Sequence, residues 1–311
     1  MGVVNTVLPV FLIIAAGVLL RRFGFVSEDF SKGLSRLVYY VGLPALLFHE
    51  MAASEFAFSQ AGRAYLVVLC GMVGCVVVAY AAASLMKLPA ASTAAFVQGS
   101  FRGNLAYIGL PIVVYSAAYS HGAGREQVSA IAALVLGMAV LVYNVVAVVV
   151  LLAGRQKLDS SAAKRVFIET AKNPLVISSV LGIAYSLTVG SLPAFADRTL
   201  AALSQMALPL ALLSIGASLA GPLQTGRLLP AVVCSVIKVA VAPLVGALVL
   251  MMLDMSAGEK LVAMVFLACP TAVSSHIYSQ QLSADEQISA SIVVVTTLLS
   301  IFSLSIVVAI F

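Results

Sequence analysis

Residues 3–20, 65–86, 131–153 and 288–311 form four stretches without one charged side chain. A run of about 20 apolar residues matches a hydrocarbon layer about 30 Å thick at about 1.5 Å of helix per residue. Backbone groups inside that layer meet no water, so each run must close its own hydrogen bonds as a helix. A β-barrel would need alternating segments of about 10 residues, and no such alternation is present. Charged residues make up 9% of the 311 and hydrophobic ones 62%, too little charge to wet the surface of a water-soluble domain. The fold class expected is an all-α integral membrane protein.

The apolar pattern predicts ten helices over 3–20, 32–51, 62–86, 92–119, 125–153, 174–190, 199–220, 228–252, 258–281 and 285–311. The first is read as a retained span, because Arg21 and Arg22 follow it, whereas a signal peptide carries its positive charge before the apolar run. With the N-terminus outside, eleven Lys and Arg fall in cytoplasmic loops and four (Arg63, Arg125, Arg198, Lys260) in outer loops. That bias sets the orientation. The net charge of +5 therefore reports topology in a lipid bilayer, and nucleic acid is not an expected partner. Cys70, Cys75, Cys234 and Cys269 all lie in apolar runs without a CxxC pair. Neither a disulfide framework nor a zinc site is expected from them.

A basic connection at 154–173 divides the chain into a first five-helix repeat (1–153) and a second (174–311). Five is odd, so the second half enters from the opposite face, and inverted repeats are a common plan of secondary transporters. GLPALL at 42–47 and ALPLALL at 207–213 are similar, and Asn5 and Asn173 stand at or before the openings of the first and sixth helices.

Two spans are interrupted at corresponding places. The fourth contains SFRGNLAYIGLPIVVYS (100–116), which sets Arg102, Gly103, Asn104, Gly109 and Pro111 mid-span. Proline removes a donor and obstructs the preceding turn, and glycine weakens a helix. The ninth contains ACPTAVSSHIYSQQ (268–281), with Pro270 followed by Thr271, Ser274, Ser275, His276 and Gln280. Paired interruptions in equivalent helices point to a substrate site at mid-membrane. The alternative for each hydroxyl is a bond to its own helix backbone.

Arg102 and Lys238 are the two cations expected inside the membrane, and no Asp or Glu falls mid-span. An anionic substrate, carbonyls freed by broken helices, or loss of the Lys238 proton on burial can each answer that imbalance. Asn144, alone in the fifth helix, either lines the site or bonds a neighbouring helix. Sodium has candidate oxygens near Ser100, Asn104, Thr271, Ser275 and Gln280. A proton relay has only His276, so coupling to sodium, to protons or to neither stays open. GxxxxGK[ST], HExxH and paired mid-membrane aspartates are all absent, so neither an ATP-driven pump nor an intramembrane enzyme is expected, and no cofactor is implied.

GNLAYIGLP (103–111), KNPLVISSVLGI (172–183), LPLALLSIGASL (208–219) and TTLLSIFSLSIVVAI (296–310) together resemble the auxin efflux carrier family, including its bacterial members. The resemblance implies two inverted five-helix repeats, a scaffold from helices 1, 2, 6 and 7, and a transport domain from helices 3–5 and 8–10. It implies a substrate site where the broken fourth and ninth helices cross, as in the sodium–bile acid symporters. The matched positions are Asn104, Pro111 and Pro270. It also implies a homodimer in the inner membrane and a small carboxylate such as malate as substrate. The function expected is thus an organic-anion carrier working by alternating access. The alternatives are a sodium-coupled symporter of a larger anion, a channel, or a receptor that binds without transport.

Overall fold

The computed structural model describes residues 2–53, 58–119, 124–154, 168, 172, 174–220 and 228–311. Their regular structure is helical: α1 (Gly2–Arg22), α2 (Glu28–Leu37), α3 (Leu43–Ala53), α4 (Phe58–Leu85), α5 (Ala90–Phe101), α6 (Leu110–Tyr119) and α7 (Arg125–Ala153). The second half adds α8 (Pro174–Thr188), α9 (Ala194–Leu219), α10 (Leu228–Val236), α11 (Ala242–Leu250), α12 (Ala257–Ala268), α13 (Ser274–Gln281) and α14 (Glu286–Ile310). Five segments among the described residues are long and apolar enough to cross a bilayer: Ala61–Leu85, Glu126–Leu151, Ala194–Ala217, Leu228–Leu250 and Glu286–Ile310. Leu105–Ala117 and Pro174–Thr188 are shorter apolar helices. Large apolar side chains such as Leu12, Val77, Leu298 and Phe302 face outward, as lipid contact requires. Arg155, Lys157, Lys164, Arg165, Asn173 and Arg227 lie outside the described residues, as does the side chain of Asn5.

Three spans share a widened turn with one physical cause. Val38–Gly42, Leu105–Gly109 and Ile237–Val241 are π turns that join α2 to α3, lead into α6, and join α10 to α11. The amides of Leu43, Leu110 and Ala242 reach back five residues, to the carbonyls of Val38, Leu105 and Ile237. A proline follows each turn by two residues: Pro44, Pro111 and Pro243. Its ring collides with the carbonyl four residues earlier, and one extra residue in the turn relieves the collision. Pro111 therefore explains the π turn after the break in the fourth span. The chain leaves the helix earlier, at Arg102, where φ is −76° and ψ is 89°.

The helices pack in two groups. In one, α1 lies along α9 and α3 along α8, with α3 also against α9. In the other, α4 packs on α5, α7, α11 and α12, and α14 packs on α10, α12 and α5. Glycine sets the closest approaches in the first group. A Cβ at Gly216 would stand 1.9 Å from the Ile14 carbonyl oxygen, and one at Gly17 would stand 2.3 Å from that of Leu213. At the α3–α8 crossing, a Cβ at Gly182 would meet the Phe48 carbonyl oxygen at 2.8 Å and Met51 Cβ at 2.6 Å. The two crossings use equivalent residues. Gly17 and Gly182, Phe48 and Leu213, and Met51 and Gly216 are each 165 apart in the chain. Gly42 and Ala207 are also 165 apart, and they touch each other: a Cβ on Gly42 would lie 3.0 Å from Ala207 Cβ.

Candidate functional site

The fourth and ninth spans break at the same place and meet there. Arg102 N donates the last helical bond of α5, to the Gln98 carbonyl at 3.2 Å. Beyond it the chain is extended and pairs with the extended chain after α12. Asn104 N donates to the Pro270 carbonyl at 2.7 Å, and Ala272 N donates to the Arg102 carbonyl at 2.8 Å. Together they make an antiparallel bridge between Gly103 and Thr271.

A helix break leaves carbonyls that would have accepted bonds from four residues on, and three of them here have replacement donors. Thr271 Oγ1 donates to the Gly99 carbonyl at 2.7 Å, in place of the Gly103 amide. Lys238 Nζ donates to the Leu267 carbonyl at 2.7 Å, in place of the Thr271 amide. That amide goes to Thr296 Oγ1 at 3.2 Å. Ser303 Oγ donates to the Ala268 carbonyl at 3.0 Å, in place of the Ala272 amide. Buried backbone groups are costly when unpaired, so these side chains are what allow the chain to stay extended inside the protein. Thr271→Val keeps the shape and removes one replacement donor. It is expected to lower stability by about 1–3 kcal/mol, measured as unfolding of the purified protein in detergent.

A cavity of about 530 Å³ opens beside the bridge. Its polar wall carries Arg102, Asn104, Asn144 and Ser274, and its aromatic wall carries Tyr39, Tyr40, Tyr107, Tyr143 and Tyr278. Ser35, Arg36 and Ser214 complete it at the α2 and α9 side. The Arg102 guanidinium is held on two sides. Nη2 donates to Asn144 Oδ1 at 2.8 Å, and Cζ lies 4.1 Å from the centre of the Tyr278 ring. Its Nη1 has no partner, nor does the buried Tyr143 hydroxyl. Arg102 is 7% exposed, and no carboxylate forms a salt bridge with it among the described residues. Asn104 Oδ1 accepts from Tyr107 N at 3.3 Å and so opens the π turn.

Of the residues singled out in the sequence, Arg102, Asn104, Asn144 and Ser274 come together on the cavity wall. Pro270, Thr271 and Lys238 lie inside the packed crossing instead, where Thr271 and Lys238 are at most 1% exposed. Pro111 stands at the second position of α6. His276 bonds Ser289 Oγ through Nδ1 at 3.2 Å, toward α14. Among the oxygens considered for sodium, Ser100 Oγ donates to the Val97 carbonyl at 2.7 Å, while the buried Ser275 hydroxyl has no partner. The side chain of Gln280 lies outside the described residues. The five cavity tyrosines and the pair Ser35 and Ser214, which hydrogen-bond each other, were not marked by sequence. Their one signal is a polar tip in an otherwise apolar span, as at Tyr143 beside Asn144.

Residues 2–308 match the membrane transport protein family. The chain belongs to that family. It is the family of auxin efflux carriers that the motifs at 103–111 and 208–219 resemble. An uncharacterized transporter of Methanocaldococcus jannaschii is 22% identical over 305 residues, covering 96% of this chain and 95% of that protein. Membership and the apolar helices make this a multi-pass membrane transport protein. Within that family plan, the cavity beside the broken helices is the candidate transport site.

Proposed function

We propose that the protein is a secondary carrier that moves a small organic anion, a carboxylate such as malate or a related weak acid, by alternating access. The observation that carries this reading is Arg102: a buried cation without a carboxylate partner among the described residues, with one free Nη1, on the wall of a cavity at two broken helices. A carboxylate there would gain charge-assisted hydrogen bonds and would balance a charge that is otherwise costly in a membrane. Asn104 and Asn144 would orient it. Tyr39, Tyr107, Tyr143 and Tyr278 would cover its apolar part.

The repeated spacing of 165 residues at the α1–α9 and α3–α8 crossings supports two inverted five-helix repeats. The two packing groups support a scaffold of α1, α2, α3, α8 and α9, with the remaining helices moving against it. The scaffold would also carry a homodimer contact. With the N-terminus outside a bacterial inner membrane, Arg36 and Leu175 would line the cavity on its cytoplasmic side. The crossing beyond the cavity is filled by Thr271 and Lys238, which favours a carrier over a continuous pore. Transport, not catalysis, is the activity this site supports.

Counterflow of labelled malate into proteoliposomes loaded with unlabelled malate tests the reading. The protein should show a transient overshoot, and Asn104→Ala should lose about 10-fold or more of the rate while still eluting as folded protein. Absence of exchange for malate and a panel of related carboxylates would remove the substrate class. Conductance far above carrier turnover would point to a channel.

A further inference from the structure

The crossing holds a second buried cation, and the cavity does not use it. Lys238 is 1% exposed and does not line the cavity. It sits in the π turn Ile237–Val241, which Pro243 imposes. Its ammonium reaches across to α12 and donates to the Leu267 carbonyl at 2.7 Å. Gly103 packs beside it, where a Cβ would be in ordinary contact with Lys238 Cε at 3.5 Å. No carboxylate forms a salt bridge with Lys238 among the described residues. Its titratable neighbours are the thiols of Cys75, Cys234 and Cys269.

The position of that ammonium is informative. Leu267 is the penultimate residue of α12, so its carbonyl belongs to the negative end of a half-helix. The amide that would normally cover it has turned away to Thr296. Freed carbonyls and half-helix C-terminal ends are the groups with which broken-helix transporters coordinate a coupling cation. Here a cation already occupies such a seat, and it is covalently part of the protein. At the other half-helix end, α5, the Thr271 hydroxyl covers the Gly99 carbonyl.

We propose that Lys238 is a built-in cation that takes the place of a bound coupling ion at the crossing, so that the carrier works without sodium. The inference rests on the carrier reading above, and it makes that carrier an exchanger or uniporter with respect to sodium. A tethered ammonium cannot dissociate, so the empty protein can return across the membrane with its crossing still balanced. Lys238 is a positioning residue: it holds the break in α12 and does not touch the substrate.

The test is thermal unfolding of the purified full-length protein in detergent, which needs no substrate. A failed malate assay therefore leaves it standing, and its own failure leaves the anion site standing. The wild type should melt within about 1 °C of the same temperature in sodium chloride and in choline chloride. Lys238→Ala should melt roughly 5–10 °C lower. It should regain at least half of that loss in propylammonium chloride, which can fill the vacated seat and donate a hydrogen bond. Tetramethylammonium chloride, which cannot donate, should not restore it. A sodium-specific rise in the wild type overturns the proposal. So does a Lys238→Met protein that melts with the wild type, since a neutral chain of similar length would then serve as well. If Lys238→Ala does not fold, the wild-type sodium comparison and Lys238→Met decide between the two outcomes.

Discussion

Arg102→Gln should reduce malate counterflow about 100-fold, because a charge-assisted bond to a carboxylate contributes about 1.5–3 kcal/mol. The glutamine keeps a planar amide that can still donate to Asn144 Oδ1, now 2.8 Å from the guanidinium. What it removes is the charge and the Nη1 that has no partner. The stability of the variant separates two roles for Arg102. A structural cation, once removed, would leave Asn144 and Tyr278 unsupported and lower the melting temperature. An anion-binding cation is kept at a cost, since an unbalanced buried charge is destabilising. Removing it should leave the melting temperature unchanged or raise it while exchange is lost. Normal exchange in Arg102→Gln, or parallel loss of exchange and stability, would contradict the assignment.

Gly216→Ala should have the largest effect on folding. Its new Cβ would stand 1.9 Å from the Ile14 carbonyl oxygen and 2.9 Å from Gly17 Cα. Both are backbone atoms of α1, so no rotamer change can make room. Small residues let membrane helices approach this closely and form their packing contacts, and separating α1 from α9 surrenders that contact. Forcing extra volume into packed structure costs about 1–3 kcal/mol, and more where backbone must move. A fall in melting temperature of roughly 10 °C or loss of monodisperse protein is expected, read by gel filtration and thermal unfolding. Gly182→Ala should do less harm, because its closest approaches are longer, 2.6 Å to Met51 Cβ and 2.8 Å to the Phe48 carbonyl oxygen. Gly62→Ala should be harmless, since nothing lies within 4 Å of its added Cβ. Gly216→Ala melting with the wild type would mean that the α1–α9 approach is wrong.

The helices and the two interruptions were legible because lipid imposes a strict rule on sequence. Uncharged runs of spanning length must be helices, and Gly103, Asn104 and Pro270 have few reasons to lie mid-span. The predicted fifth span, 125–153, coincides with α7, and the break expected near Pro270 falls between Ala268 and Ser274. Proline was less transparent. Pro111 lies past the break, and its effect is a π turn, because a turn can absorb a proline by widening as well as by opening. Pro44 and Pro243 act in the same way.

The candidate site was legible only where charge or an amide marked it. Arg102, Asn104 and Asn144 are conspicuous in apolar helices, and all three reach the cavity. Tyr39, Tyr143 and Tyr278 were not seen, because a tyrosine in a membrane helix serves packing and binding equally well. Lys238 was conspicuous for its charge, yet it lies in the crossing beside the cavity. Depth along a helix does not report rotation about its axis, and the π turn that carries Lys238 alters that rotation. Gly17 and Gly216 were invisible for another reason. Glycine is common in membrane helices, and only the positions of two helices together show which glycines bring backbones into contact.

The most direct measurement is calorimetric titration of the purified protein with small carboxylates, each paired with its neutral amide. A site built on an unbalanced Arg102 should bind at least one carboxylate with one-to-one stoichiometry. It should not bind the matching amide, and Arg102→Gln should bind neither. Binding of the amide as tightly as the acid, or no binding by any carboxylate in the panel, would contradict an anion site at the crossing.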